Sequence, residues 1–328
     1  MARIAPGEEV TFELRDSRDG QIGPALSHDG LLRVPPIAHP LTGPVWVEGA
    51  QPGDLLEVDI LAYEHDHFGW TAIWPRSGYL GDRFEHPFVV TWELRDGLAR
   101  SSQLPGVAIP GAPFLGVIGV APSPELFDRI RRRERELAER GGRVNLPTGE
   151  WAAPPSAAEG LRTQPPRENG GNMDVRDLVA GSRVLLPVHV HGVLLSLGDL
   201  HFAQGDGEVC VSAIETGGEA TVRVGVRRGG FVPRFPMWES PPRPGRRYLA
   251  TTGIPLSDDG CNGDLDLGLA TRRALIELLD YLRSERGLTD EQAYVLMSVA
   301  AELRLSEVVD VPNPLVSAAL PLDVFEDG

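Results

Sequence analysis

Apolar and polar residues alternate over short stretches along most of this chain. Thr11 to Arg15 (TFELR) and Leu55 to Ile60 (LLEVDI) repeat with a period of two, which sets one face of a strand against a core and the other toward water. Arg183 to Val190 (RVLLPVHV) and Ala220 to Arg227 (ATVRVGVR) show a similar pattern and are rich in β-branched residues. Gly192 to Leu200 (GVLLSLGDL) begins as a buried strand and is predicted to end in a polar turn. The 38 glycines and 29 prolines interrupt the chain so often that short strands joined by turns fit better than long helices.

A helical period is confined to three places. Pro124 to Arg140 carries a thin apolar stripe of Leu126, Ile130 and Leu137 in a charged segment, predicting a surface helix held by ion pairs. Leu269 to Arg286 puts Leu275, Leu278, Leu279 and Leu282 on one face. Thr289 to Arg304 opens with Thr289 and Gln292 in capping-box positions. These last two helices are expected to pack on a sheet, and the Pro- and Gly-rich stretch from Gly141 to Asn169 reads as a long loop. The pattern predicts a mainly β protein with a sandwich- or barrel-like core and an α+β C-terminal unit. The division expected is a β-rich domain over residues 1–170 and an α+β domain over residues 171–328.

Composition narrows the function. With 41% hydrophobic and 24% charged residues, the 328-residue chain belongs with soluble globular proteins. Its 47 acidic residues against 31 cations leave a charge of -16, which argues against nucleic acid and anionic membrane surfaces as partners. No apolar run approaches the ~20 residues of a membrane span. Met1 to Gly7 lacks the apolar region of a secretory signal, so a cytoplasmic location is expected. All 31 cations are arginine, and arginine stays protonated. Schiff-base chemistry and Lys-based phosphate loops are therefore excluded. The two cysteines, Cys210 and Cys261, cannot frame a disulfide scaffold or a Cys₄ zinc site within one chain.

Chemistry-bearing residues are densest between Arg167 and Glu215. Asp199 and His201 are two apart, so an extended chain points both to one face, where they can share a divalent cation. Asp174, behind the Gly170-Gly171 turn, can supply a third ligand, leaving an open position for water. The turn Gly205-Asp206-Gly207 brings Glu208 back beside that face, as the first choice for proton transfer to a leaving amine. Asn172 and the neighbouring Gly171 are candidates for placing substrate. Glu215 can be ligand, base or a strand-end ion-pair partner, and Cys210 a nucleophile activated by His201 or a small core residue. The plainer reading of Asp-x-His at a strand end is a hydrogen-bonded turn. His189 and His191 alternate in a strand and read as a solvent- or interface-facing pair.

Several of these segments resemble the acetamidase/formamidase family, closest to its formamidase branch. The matching text is Arg15 to Ile22 (RDSRDGQI), His39 to Asp54 (HPLTGPVWVEGAQPGD), Gly69 to Ile73 (GWTAI), Pro113 to Pro122 (PFLGVIGVAP), Glu168 to Asp177 and Leu197 to Glu215. It runs from about Val10 to Val226, with a looser match beyond. The resemblance implies hydrolysis of formamide or short aliphatic amides to ammonia and a carboxylate. It also implies a zinc-dependent, mainly β, cytoplasmic homo-oligomer. Carried onto this chain, Asp174 lies in GGNMD, Asp199 and His201 in GDxH, Glu208 in QGDGE and Glu48 in VEGA, with Glu48 and Glu215 as alternative bases. The chain departs from the family between Trp74 and Asp82, where Arg76 offers a cation that could attract an acidic amide. The expectation is a hydrolase of short amides using Asp174, Asp199 and His201 around Zn²⁺. A Cys210-nucleophile amidase and a non-catalytic amide-binding protein on the same scaffold are the alternatives.

Overall fold

A computed structural model describes all residues other than 36, 147–159, 242–246, 291, 292, 294, 295, 298, 299 and 326–328. In chain order the strands are β1 (Ala2–Ile4), β2 (Glu9–Leu14), β3 (Leu41–Val47), β4 (Leu55–His65), β5 (Phe68–Ile73) and β6 (Phe88–Arg95). Then come β7 (Leu98–Arg100), β8 (Ala108–Pro110), β9 (Phe114–Gly119), β10 (Gly170–Asn172), β11 (Arg183–Pro187) and β12 (Val193–Ala203). Last are β13 (Ile214–Thr216), β14 (Gly218–Arg227), β15 (Met237–Glu239), β16 (Tyr248–Gly253), β17 (Glu302–Glu307) and β18 (Leu315–Pro321). Helices α1 (Pro124–Glu139) and α2 (Leu267–Arg286) join them, and the described residues Asp290, Ala293, Leu296, Met297 and Ala300 are helical as well.

The strands form two sheets. The first runs β1-β3-β12-β13-β5-β6-β7-β8, with β9 and β10 added on the other side of β12. The second runs β17-β18-β16-β15-β11-β4-β14-β2. Each sheet takes strands from both sides of residue 170. Their inner faces meet in one core, where Val45, Ile118, Leu195 and Leu197 of the first sheet join Leu56, Val58, Val184 and Val222 of the second. The outer face of the second sheet is covered by α2. Ala270, Ala274, Leu278 and Leu282 pack there with Leu55, Leu185, Met237 and Val316. Adjacent Leu55 and Leu56 thus enter different cores, as the strand period of two requires. Helix α2 is closed by the Asp266 carboxylate accepting from the Leu269 amide, and by Gly287 in the left-handed region at φ 65°. Mainly β architecture, a sandwich core and a helix packed on a sheet agree with the pattern.

Three local expectations need correction. Strand β12 continues through the expected turn at Gly198-Asp199-Leu200 to Ala203. Glu302 to Arg304, expected to finish a helix, open strand β17 at a sheet edge. The proposed cap residue Gln292 lies outside the described residues. Finally, α1 is not merely a surface helix. Its Arg133 and Glu134 are buried, and both reach across to the segment before β10. Arg133 donates to both oxygens of Glu168 at 2.6 and 2.8 Å. Arg167 donates to both oxygens of Glu134 at 2.7 and 3.1 Å. The guanidinium of Arg167 also holds the carbonyls of Arg162 and Pro165. These crossed forks fix the chain that enters β10, which pairs with β9 from Gly170 opposite Gly119 to Asn172 opposite Val117. Among the described residues no helix is long and apolar enough to cross a membrane.

Removing one member of a buried pair strands its partner's charge. Glu134→Ala is expected to lower unfolding free energy by about 3–5 kcal/mol in denaturant titration. A loss under about 1 kcal/mol would mean that this fork does not hold the β10 approach.

Candidate active site

The local sequence around β12 builds the site. Gly198 pairs with Val117 of β9 and Leu200 with Leu115, leaving Asp199 and Gly116 between them. Asp199 sits at φ 58° inside the strand, Asp174 at φ 48° and Glu208 at φ 44°. Three carboxyl residues in this costly region turn their side chains toward one hollow. Gly116 makes room for them. A Cβ built there would lie 2.5 Å from Asp199 Oδ2 and 2.6 Å from Asp174 Oδ1, and the Gly116 carbonyl accepts from the Met173 amide at 2.8 Å.

His201 stands at the centre, 1% exposed, edge-on to Phe114. Its cross-strand neighbour on β13 is Glu215. His201 Nε2 lies 3.2 Å from Asp199 Oδ1 and 3.3 Å from Glu215 Oε2, and Nδ1 lies 3.7 Å from Asp174 Oδ1. Gln204 decides the tautomer. Its amide nitrogen donates to the carbonyls of Asp174 and Ser306, so its oxygen accepts from His201 Nδ1 at 2.9 Å. The proton on Nδ1 leaves Nε2 facing two carboxylates, an arrangement that needs a proton or a cation between them. Asp174 Oδ1, Asp199 Oδ1, His201 Nε2 and Glu215 Oε2 are buried without a hydrogen-bond partner among the described residues. Ligand atoms of Asp174, Asp199 and His201 lie within 4.8 Å of one another, and so do those of His201, Glu208 and Glu215. Orphaned oxygens around a bare imidazole nitrogen fit a divalent cation.

Electrostatics say the same. Burial pushes Asp174, Glu208 and Glu215 above the usual carboxyl range, with His201 pulling each the other way. Burial also acts on Asp199, but His201 and His39 outweigh it and hold this carboxylate below its ordinary value. Burial opposes protonation of His201, yet Glu215 and Asp199 raise its pKa well above normal. Beside them Asp310 is pushed up to about 7 by burial, while its hydrogen bond from Asn172 works downward. Asn172 donates to Asp174 at 2.7 Å and Asp310 at 2.6 Å, while its own oxygen is buried without a partner.

The cluster opens onto a cavity of about 860 Å³, whose wall includes Asp199, Glu208, Glu215, Asn172, Asp310 and Arg18. The structure therefore brings together Asp174, Asn172, Asp199, His201, Glu208 and Glu215. Gly171 lies in β10 beside Asn172 and is not among the described lining residues. Glu48 is exposed after β3, its amide on the Ile4 carbonyl, beyond the Val193 end of β12 and so opposite to His201. Cys210 donates to the Ser212 carbonyl at 3.5 Å rather than pairing with His201, and burial raises its thiol pKa, which disfavours a thiolate. Arg76 is exposed, 3.7 Å from Glu85, and is not among the described lining residues.

Several site residues escaped the sequence pattern. His39 lies 3.8 Å from Asp199, Asp310 comes from the C-terminal third, Gly116 lies inside a buried strand, and Gln204 and Arg18 lie in family-like segments without having been singled out. Gln204, three residues after His201, offered a signal by spacing, and His39, Gly116 and Arg18 offered one by lying in the segments that resemble the family.

The chain matches the Acetamidase/Formamidase family over residues 1–327. It is 36% identical to a formamidase of Methylophilus methylotrophus, across 99% of this chain and 87% of that protein. An acetamidase from Bacillus halodurans superposes with a TM-score of 0.78 at 27% identity, covering 100% of this chain and 93% of that one. A gamma lactamase from Delftia acidovorans gives a TM-score of 0.70 at 34% identity, covering 99% and 86%.

The raised carboxyls fix how the cation-free protein responds to pH. Asp174, Glu208, Glu215 and Asp310 keep protons that the unfolded chain releases above about pH 4, so stability is lost as pH rises through their folded values. The contribution of His201 is full below about pH 6.5 and also fades upward, whereas that of depressed Asp199 fades only under about pH 4. In chelator, the melting temperature should fall from about pH 5 to about pH 8, and Zn²⁺ should recover more at the higher pH. A flat profile with no recovery would contradict this charge assignment.

Proposed function

The chain belongs to the Acetamidase/Formamidase family, and from that premise we propose that it hydrolyses short aliphatic amides to ammonia and a carboxylate with a divalent ion held by Asp174, Asp199 and His201. What carries the reading is His201 Nε2, left without a hydrogen bond 3.2 and 3.3 Å from two buried carboxylates. Zn²⁺ suits a set of carboxylate oxygens and one imidazole nitrogen. When bound, such an ion supplies a Lewis acid and lowers the pKa of water toward ~7.

The chain's own groups do the rest. Gln204 locks His201 with Nε2 directed at the acids. Glu215 has one oxygen on the Ala213 amide and the other against His201, so it is better placed to hold the centre than to swing. Glu208 lines the cavity and its carboxylate makes no hydrogen bond among the described residues. Its burial-raised pKa suits a group that takes a proton from water and hands it to the leaving nitrogen. The unpartnered oxygen of Asn172 can accept from the substrate NH₂ and orient its carbonyl.

Asp199→Asn and His201→Ala are expected to lose bound metal and at least about 100-fold in ammonia release from formamide or acetamide. Gly116→Ala should do likewise by pushing a methyl group into the two carboxylates. Circular dichroism checks that each variant is folded. Full ammonia release by metal-free wild-type protein would end the metal reading.

A further inference from the structure

We propose that the preferred substrate is an amide whose acyl group also carries a carboxylate, bound by Arg18; this rests on the amide-hydrolase reading above. A cavity of about 860 Å³ is in the range that holds drug-sized ligands, far beyond the three or four heavy atoms of formamide or acetamide. The additional space has a specific polar feature. Arg18 lines it, held in a built turn. The Asp16 carboxylate accepts from the amides of Arg18 and Gly20 at 2.8 and 3.1 Å, and the Arg18 carbonyl accepts from the Gln21 side chain at 2.7 Å. The guanidinium carbon lies 4.5 Å from the centroid of the Trp74 ring. Trp74 meets buried Trp70 edge-on at 6.1 Å.

Among the described residues this half-buried guanidinium makes no hydrogen bond and no ion pair. Buried Arg133, Arg167 and Arg273 differ, each being met by carboxylate or carbonyl oxygens. Glu215 and Asp199 act on the charge of Arg18 but are committed to His201. A planar fork with free donors, stiffened by an indole and lining the same cavity as the reaction centre, matches a carboxylate in geometry and charge. Arg162 adds a second positive charge to the same wall, and Leu31 and Val34 offer apolar surface for a short methylene chain. The amide end would then sit by Asp199 and Glu208 and the carboxylate at Arg18. The reaction balances as monoamide carboxylate plus water giving dicarboxylate plus ammonium: the C–N bond breaks, a C–O bond forms, and both water protons end on the leaving nitrogen.

The test measures kcat/KM for ammonia release by the Zn²⁺-loaded protein from oxamate, malonamate, succinamate and glutaramate. Each is compared with a neutral amide bearing isopropyl in place of the carboxylate. At least one acid is expected to exceed its neutral isostere by about 10-fold or more. Arg18→Met should cut that ratio by about 30-fold, mainly through KM, and Arg18→Lys by less. Equal or better turnover of the neutral isostere at every chain length, or an unchanged ratio in Arg18→Met, overturns the proposal. If no amide releases ammonia, the hydrolase reading is what has failed. Calorimetric titration with succinamate then decides the pocket: binding to wild type and not to Arg18→Met supports it, and no binding to wild type overturns it.

Discussion

Too many carboxylates share one buried hollow for the cations around them. Asp174, Asp199, Glu208, Glu215 and Asp310 stand about His201, with His39 beside Asp199, and Glu307 lies buried behind them. Burying an uncompensated charge costs several kcal/mol, so such a group is neutralised by protons or by a bound cation. The geometry is compatible with the second. The acids leave oxygens unbonded, and His201 is locked by Gln204 with its free nitrogen toward them.

The rest of the architecture reads as support for that concentration of charge. Strand β12 carries Asp199 and His201 between β9 on one side and β3 followed by β13 on the other. Gly116 on β9 vacates the space two carboxylates need, and β10 delivers Asn172 and Asp174 from β9's far edge. The crossed ion pairs of α1 hold the entry to β10, ahead of Asp174 in its left-handed conformation. The second sheet adds Asp310 through the segment between β17 and β18, so the hollow is closed by both sheets.

Much of this was legible from local pattern. Alternation located β2, β4 and β14, and the leucine face located α2, because those elements obey one period from end to end. Periodicity misled where a polar residue faces inward. Asp199 looks like the start of a turn, but it is a buried acid in mid-strand. Glu302 to Arg304 carry good helix formers, yet pairing with β18 makes them strand. In the site, Asp174, Asn172, Asp199, His201, Glu208 and Glu215 were legible because two short motifs and a Gly-Asp-Gly turn hold them within about 40 residues of one another. His39, Gly116, Asp310 and Arg18 reach the hollow through sheet pairing and loop packing over long separations, which no local spacing encodes.

On the proposed reading a cation, not a proton, lies between His201 and its carboxylates. Anomalous X-ray diffraction from crystals of the purified protein, at energies spanning the zinc edge, measures this directly. A strong peak bounded by Asp174, Asp199 and His201 Nε2 is the outcome the charge balance requires. No peak there, with Nε2 protonated between Asp199 and Glu215 and no metal by elemental analysis, would contradict it.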